Sequence, residues 1–87
     1  MKTKSPLSIQ VKVYAPFKIY FDGPAVSVSA VNATGPFDIL PRHKNFISLL
    51  KPGPLVVRRL KQASFEMHID RGVIHVRADK VSVFLDV

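Results

Sequence analysis

Apolar and polar residues alternate along nearly the whole chain, and this period of two restricts it to strands. Leu7, Ile9, Val11 and Val13 alternate with Ser8, Gln10, Lys12 and Tyr14. Phe17, Ile19 and Phe21 share one parity, and Val26 and Val28 alternate with Ser27 and Ser29. Between the runs fall Ala15-Pro16, Asp22-Gly23-Pro24, Thr34-Gly35-Pro36 and Pro52-Gly53-Pro54, all read as turn chemistry. Glycine permits positive φ and proline fixes φ near −65°. Lys51-Pro52-Gly53-Pro54 predicts a type II turn with Gly53 at the third position, and Pro54 opening the next strand. No segment carries a helical period; the short apolar stretch from His43 to Leu50 is the most ambiguous. About nine short strands without a helix predict an all-β fold, a flattened two-sheet β-sandwich or barrel.

The last third can be read to register. With Arg71-Gly72 as a two-residue loop, Ile69 faces Ile74, Met67 faces Val76 and Phe65 faces Ala78. The polar face then sets Glu66 against Arg77 and His68 against His75. A one-residue slip would mix the faces, so the pattern selects the register. A second turn at Asp79-Lys80 pairs Val76 with Val83 and Ile74 with Leu85. The result is a three-stranded meander over 64–87. Its outer face is more apolar than a solvated face needs to be, with Phe84 beside His75 and Val73 close by. That marks either cover by another loop or a partner contact.

A chain of 87 residues forms one domain, which at this size buries about 60–65% of the surface its unfolded chain exposes. We divide it into a tail, 1–6, and a sandwich, 7–87. There is no cysteine, hence no disulfide framework or thiolate zinc site. No apolar signal core follows Met1-Lys2-Thr3-Lys4-Ser5-Pro6, and no apolar run approaches the roughly 18 residues of a membrane span. The expectation is a soluble or at most peripheral protein. Thirteen Lys+Arg against six Asp+Glu leave a net charge of +7, which suits phosphate, an anionic membrane surface or an acidic protein.

Residues that could carry chemistry are few. His68 and His75 could meet across the hairpin, but two imidazoles are too few for a closed zinc site, and His43 stands on a distant loop. We expect no metal, no cofactor and no small-molecule substrate. Ser27 and Ser29 read as a solvated or interface face. Asp22, Asp70 and Asp79 read as turn residues, and no P-loop or dinucleotide fingerprint occurs. The basic run Arg58-Arg59-Leu60-Lys61 reads foremost as a solvated face and next as a rotor or lipid-headgroup contact. Nucleic-acid binding would use it together with Phe17, Tyr20, Phe21 and Phe84. Phe17 and Phe21 keep core parity, however, and no recognition motif is present.

One ordered set of residues is more telling. Phe37-Asp38-Ile39-Leu40-Pro41-Arg42-His43 precedes Leu49-Leu50-Lys51-Pro52-Gly53. This resembles the epsilon subunit of F-type ATP synthases, which typically reads glycine-x-phenylalanine-glycine-valine-leucine-proline-glycine-histidine, a short apolar stretch, then lysine-proline-glycine. Pro16, Gly23, Ser27-Val28-Ser29, Gly72-Val73-Ile74-His75-Val76 and Lys80-Val81-Ser82-Val83 extend the resemblance over Leu7 to Asp86. It implies a ten-stranded sandwich that docks on the gamma subunit and sits on the ring of c subunits. Such a domain is a non-catalytic part of the central stalk, peripheral on the cytoplasmic face of the bacterial inner membrane or its organellar equivalent.

The departures matter as well. Family members usually continue into two helices that inhibit ATP hydrolysis and in some members bind ATP. Here the sequence closes with the last strand, and the expectation is neither a helical brake nor an ATP site if that length is natural. The loop Asn32-Ala33-Thr34-Gly35-Pro36 lacks the carboxylates often found there. Asp38 stands where a glycine is usual, Arg42 replaces the glycine before the histidine, and Arg71 replaces a turn glycine. The resemblance makes Asn32, Ala33, Thr34, Gly35, Asp38, Arg42 and His43 candidate contact residues, and the apolar outer face of the meander adds Phe84. The alternative is a paralogous basic β-sandwich recruited to another protein complex or to single-stranded nucleic acid.

Overall fold

In the computed structural model, residues 8–86 are described, and they form nine strands without a helix. The strands are β1 (Ile9–Ala15), β2 (Lys18–Ala25), β3 (Ser27–Asn32), β4 (Gly35–Ile39), β5 (Phe46–Leu50), β6 (Gly53–Arg59), β7 (Gln62–Ile69), β8 (Gly72–Arg77) and β9 (Lys80–Leu85). They build two sheets, β2-β1-β9-β8-β5 and β4-β3-β6-β7. The expected two-sheet sandwich is therefore the fold, and the ambiguous stretch before Leu50 is strand β5. The expected start of the domain at Leu7 lies outside the described residues.

Period two gives each strand one inward face. Ile9, Val11 and Val13 of β1, Ile74 and Val76 of β8, and Val81, Val83 and Leu85 of β9 are buried. They meet Val28, Ala30, Ile39, Leu55, Val57 and Ile69 from the other sheet. Each fully buried aliphatic side chain contributes about 1.5–3 kcal/mol relative to exposure. Phe21 packs near Phe65, ring centroids 5.3 Å apart, closing one flank, and Phe37 with Phe46 at 5.6 Å closes the other. The centre of the larger sheet is a parallel pair in which Gln10 to Tyr14 run beside Lys80 to Phe84.

Several expected turns differ in the structure. No β7–β8 hairpin forms: β7 pairs with β6 and β8 with β9 and β5, so Asp70-Arg71 crosses between the sheets. His68 and His75 accordingly sit on different sheets, and the pairs Ile69–Ile74, Met67–Val76 and Glu66–Arg77 do not exist. The β8–β9 turn is Ala78-Asp79, which pairs Val76 with Val81 and Ile74 with Val83, two residues from the expected register. A shift of two keeps every side chain on its face, so alternation cannot detect it. Ala78 and Asp79 have φ of 50° and 64°, the two positive values of a type I′ hairpin.

Lys51-Pro52 likewise crosses between sheets. Gly53 lacks the positive φ that a type II turn requires, Gly35 being the one glycine with it. Gly53 serves instead a close approach, since a Cβ there would lie 3.0 Å from Val31 Cγ2. Asp22-Gly23-Pro24 is no turn but the body of β2. As an edge strand, β2 tolerates a proline that cannot donate to a ladder. A register shift between Val13 and Tyr14 turns the start of β2 over. Phe17, expected at core parity, therefore stands fully exposed at the β1–β2 tip, and Ile19 is 57% exposed.

Candidate interaction surface

The outward face of the five-stranded sheet carries one unbroken apolar row. Tyr14 pairs with Ile19 on β2 and with Phe84 on β9, Phe84 with Val73 on β8, and Val73 with Leu49 on β5. The row Ile19–Tyr14–Phe84–Val73–Leu49 thus crosses all five strands. Tyr14 and Phe84 lie ring to ring at 5.0 Å, and Lys12 Nζ stands 5.0 Å from the Tyr14 centroid. Leu49 is 70% exposed, and Ile47 beside it is 69% exposed. A solvated face would set polar side chains at these places; a row of five apolar ones has the chemistry of an interface.

The candidate residues from the sequence divide between places. Asn32, Ala33, Thr34 and Gly35 form the β3–β4 hairpin at the end of the sandwich that also holds Pro16-Phe17, Lys51-Pro52 and Asp70-Arg71, here the lower end. Asn32 Oδ1 accepts from the Thr34 N–H at 2.9 Å and its hydroxyl at 2.7 Å, while Asn32 Nδ2 donates to Ser48 Oγ at 3.2 Å. Gly35 has φ 115° with open space around it, so conformation and not crowding demands glycine. Next to this hairpin lies a concavity of about 500 Å³ lined by Ala33, Leu49, Lys51, Pro52 and Arg71 among others.

Arg42 and His43 lie at the opposite, upper end, a full length of β4 away. Arg42, at φ 66°, donates its backbone N–H to Asp79 Oδ1 at 2.6 Å. His43 Nδ1 is 2.8 Å from the Lys44 carbonyl, which can only accept, so that nitrogen carries the proton. Its ring meets Phe46 edge-on at 5.6 Å. These contacts suit a loop organiser. Asp38, on the outer face of β4, accepts from Ser29 Oγ, which in turn accepts from Arg58 Nη1. Ser27, expected on a solvated or interface face, is buried under the same guanidinium. Phe84 alone of the candidates belongs to the apolar row.

The basic run also breaks up. Arg58 holds the two serines, while Arg59 Nε donates to the Ala63 carbonyl at 3.0 Å with its guanidinium 5.7 Å from the Phe21 ring. Only Leu60 and Lys61 form a free turn, with Lys61 at φ 60°. Among the described residues no group of three or more His, Cys, Asp or Glu could hold a metal ion. No helix there is long and apolar enough to cross a membrane. Tyr14, Ile19 and Leu49 escape a reading of the sequence because their row depends on the parallel β1–β9 pair. The one local signal was the excess apolarity around Phe84 and Val73.

Comparison with known proteins places this geometry. Residues 8–87 match the model of the ATP synthase delta/epsilon chain β-sandwich domain. The ATP synthase epsilon chain of Ruthia magnifica subsp. Calyptogena magnifica is 33% identical over 79 residues, covering 91% of this chain and 56% of that protein. The chain thus spans just over half the length of that relative. A solved chain of the Euglena gracilis mitochondrial ATP synthase, in an assembly of OSCP, F1 and c-ring, superposes with a TM-score of 0.85 at 18% identity. It covers 98% of this chain and 54% of its own. A chain of the Tetrahymena thermophila mitochondrial ATP synthase, from the central stalk and c-ring, superposes with a TM-score of 0.73 at 19% identity, covering 90% and 63%. At these identities the two structures speak to the fold alone.

Proposed function

Because the chain belongs to the ATP synthase delta/epsilon β-sandwich family, we propose that it is a non-catalytic rotor part of an ATP synthase central stalk. It couples ion-driven rotation to ATP synthesis through its surfaces and makes no bond itself. The row Ile19–Tyr14–Phe84–Val73–Leu49 docks on the gamma subunit, and the lower end, with Asn32 to Gly35, meets the polar loops of the c-ring. Arg42 and His43, at the other end, take no part in that second contact. The protein is peripheral on the cytoplasmic face of the bacterial inner membrane, or on the organellar equivalent, and is held there by the complex.

The observation that carries this reading is the apolar row, which spans the whole width of a sheet in a member of this family. An interface with an apolar centre depends weakly on salt, whereas phosphate contacts lose affinity log-linearly with it. Calorimetric titration with the gamma subunit encoded alongside, at low and moderate salt, should show sub-micromolar, weakly salt-dependent binding. Phe84→Glu should abolish it. Absence of binding at either salt would remove the stalk assignment. Asn32→Asp with Thr34→Asp should alter affinity for the c-ring; unchanged affinity would remove that hairpin from the contact.

A further inference from the structure

Among the described residues, positive charge is concentrated at one end of the sandwich. At the upper end, Arg42, Lys44, Arg59, Lys61, Arg77 and Lys80 stand on loops or at the ends of strands, and Asp79 is the one carboxylate among those described segments. That carboxylate is already engaged by the Arg42 N–H. The lower end holds Lys18, Lys51 and Arg71 against Asp70 and Asp86, which nearly balance. The upper end is therefore a basic pole, and the lower end is not.

The same pole is concave and apolar. A groove of about 630 Å³ opens there, with Pro24, Ala25, Val26, Leu40, Pro41 and Leu60 in its lining. This lies within the range of about 300–1,000 Å³ typical of binding clefts. Leu40 is 55% and Leu60 67% exposed. Large aliphatic side chains exposed at a groove gain by burial against a partner, and the basic surround selects the partner's sign.

We propose that this groove receives an acidic segment of another polypeptide that brings two or three large apolar side chains into it. The shape argues against a lipid surface, since a flat bilayer would meet protruding groups and leave the groove unfilled. The chemistry argues against nucleic acid, because among the described residues no aromatic side chain lines the groove to stack a base. The chain's own first residues share the sign of the pole, with Lys2 and Lys4 preceding Ser8. This inference uses neither the apolar row nor the lower end and stands apart from the rotor reading.

The test is fluorescence anisotropy with a labelled amphipathic 16-residue peptide of glutamate and leucine, on the full chain. A phosphatidylglycerol vesicle and a 12-nucleotide oligothymidylate serve as the other probes. The peptide should bind, and Leu60→Glu should weaken it by about tenfold or more, the loss of one buried leucine. Lys61→Gln should weaken it about threefold, as loss of one exposed charge contact does. His68→Ala, on the outer face of β7, should leave it unchanged, and all three substitutions lie on exposed positions that leave the core intact. Equal peptide binding by the wild type and Leu60→Glu, or binding of vesicles or oligonucleotide in place of the peptide, would overturn the proposal. So would peptide binding that appears only after removal of residues 1–6, which would make the chain's own terminus the occupant. Gamma titrated against Leu60→Glu separates the two readings, because its affinity should not change.

Discussion

Gly72 is where a single methyl group should do the most damage. A Cβ at this position would sit 2.7 Å from the Phe84 carbonyl oxygen and 3.0 Å from Leu85 Cδ2. The first neighbour is backbone of β9, paired across the sheet with Gly72 and its neighbour Val73, so it cannot rotate away. Relief requires β8 and β9 to part by about half an ångström. Overpacking of this kind costs about 1–3 kcal/mol. Against it stands about 0.4–1 kcal/mol gained when alanine narrows the unfolded ensemble at a compatible φ. At the midpoints of these ranges, about 2 against about 0.7 kcal/mol, Gly72→Ala should lose about 1.3 kcal/mol net, or roughly 5–10 °C in Tm for a domain of this size. Urea and thermal unfolding followed by far-ultraviolet circular dichroism would measure it. Gly23→Ala is the control, since the nearest atom there is Phe21 Cζ at 3.8 Å, and it should be neutral or slightly stabilising. A Gly72→Ala variant within about 0.5 kcal/mol of wild type, the usual span of a harmless surface change, would refute the claim that β8 and β9 leave no room there.

Other substitutions test other parts of the fold. Gly35→Ala should cost about 1–3 kcal/mol in unfolding experiments, because φ 115° strains a residue with a Cβ even in open space. Ala78→Gly or Ala78→Asn should raise stability by about 0.5–1 kcal/mol, since a type I′ turn asks for positive φ at this position and alanine resists it. Asp79→Ala should lose about 2 kcal/mol, about 1 with the bond to the Arg42 N–H and about 1 because alanine resists the φ of 64°. Amide exchange at Arg42 should quicken with it; unaltered exchange would show that the carboxylate does not hold the loop.

How far the sequence could be read depended on how local each signal was. The inward faces of β1, β3, β8 and β9 followed from alternation alone. The same alternation misplaced the partner of β7. In a sandwich, Met67 and Ile69 point to the core whether β7 pairs with β8 or faces it from the other sheet, so hairpin and crossover look alike in one dimension. Asp22-Gly23-Pro24 misled because turn residues are also admissible on an edge strand. Phe17 misled because a register shift against β1 puts an extra residue, Tyr20, into β2 and reverses its parity without a mark in composition. Of the candidate residues, Asn32 to Gly35 were legible as a turn through Thr34-Gly35-Pro36 but as a contact only through the family resemblance, and Phe84 stood out through surplus apolarity on a face. Neither the rest of the row nor the charged groove was, because both join residues far apart in the chain.

The central parallel pair has a consequence for when this domain can come into being. β9 lies between β1 and β8, so the β1–β2 hairpin cannot join the rest of its sheet until β9 is made. Some 65 residues separate the end of β1 at Ala15 from the start of β9 at Lys80. At roughly 5–20 residues per second, synthesis leaves the first hairpin waiting for about 3–13 s with one β1 edge open. The smaller sheet, by contrast, closes from strands that follow one another at shorter range. During that interval the nascent hairpin offers Val11 and Val13 on one face and an unpaired edge alongside, the combination on which strands of separate chains zip together. Slowing translation before β9, or adding a holding chaperone, should therefore change the yield of folded protein far more than the stability of the finished molecule would suggest.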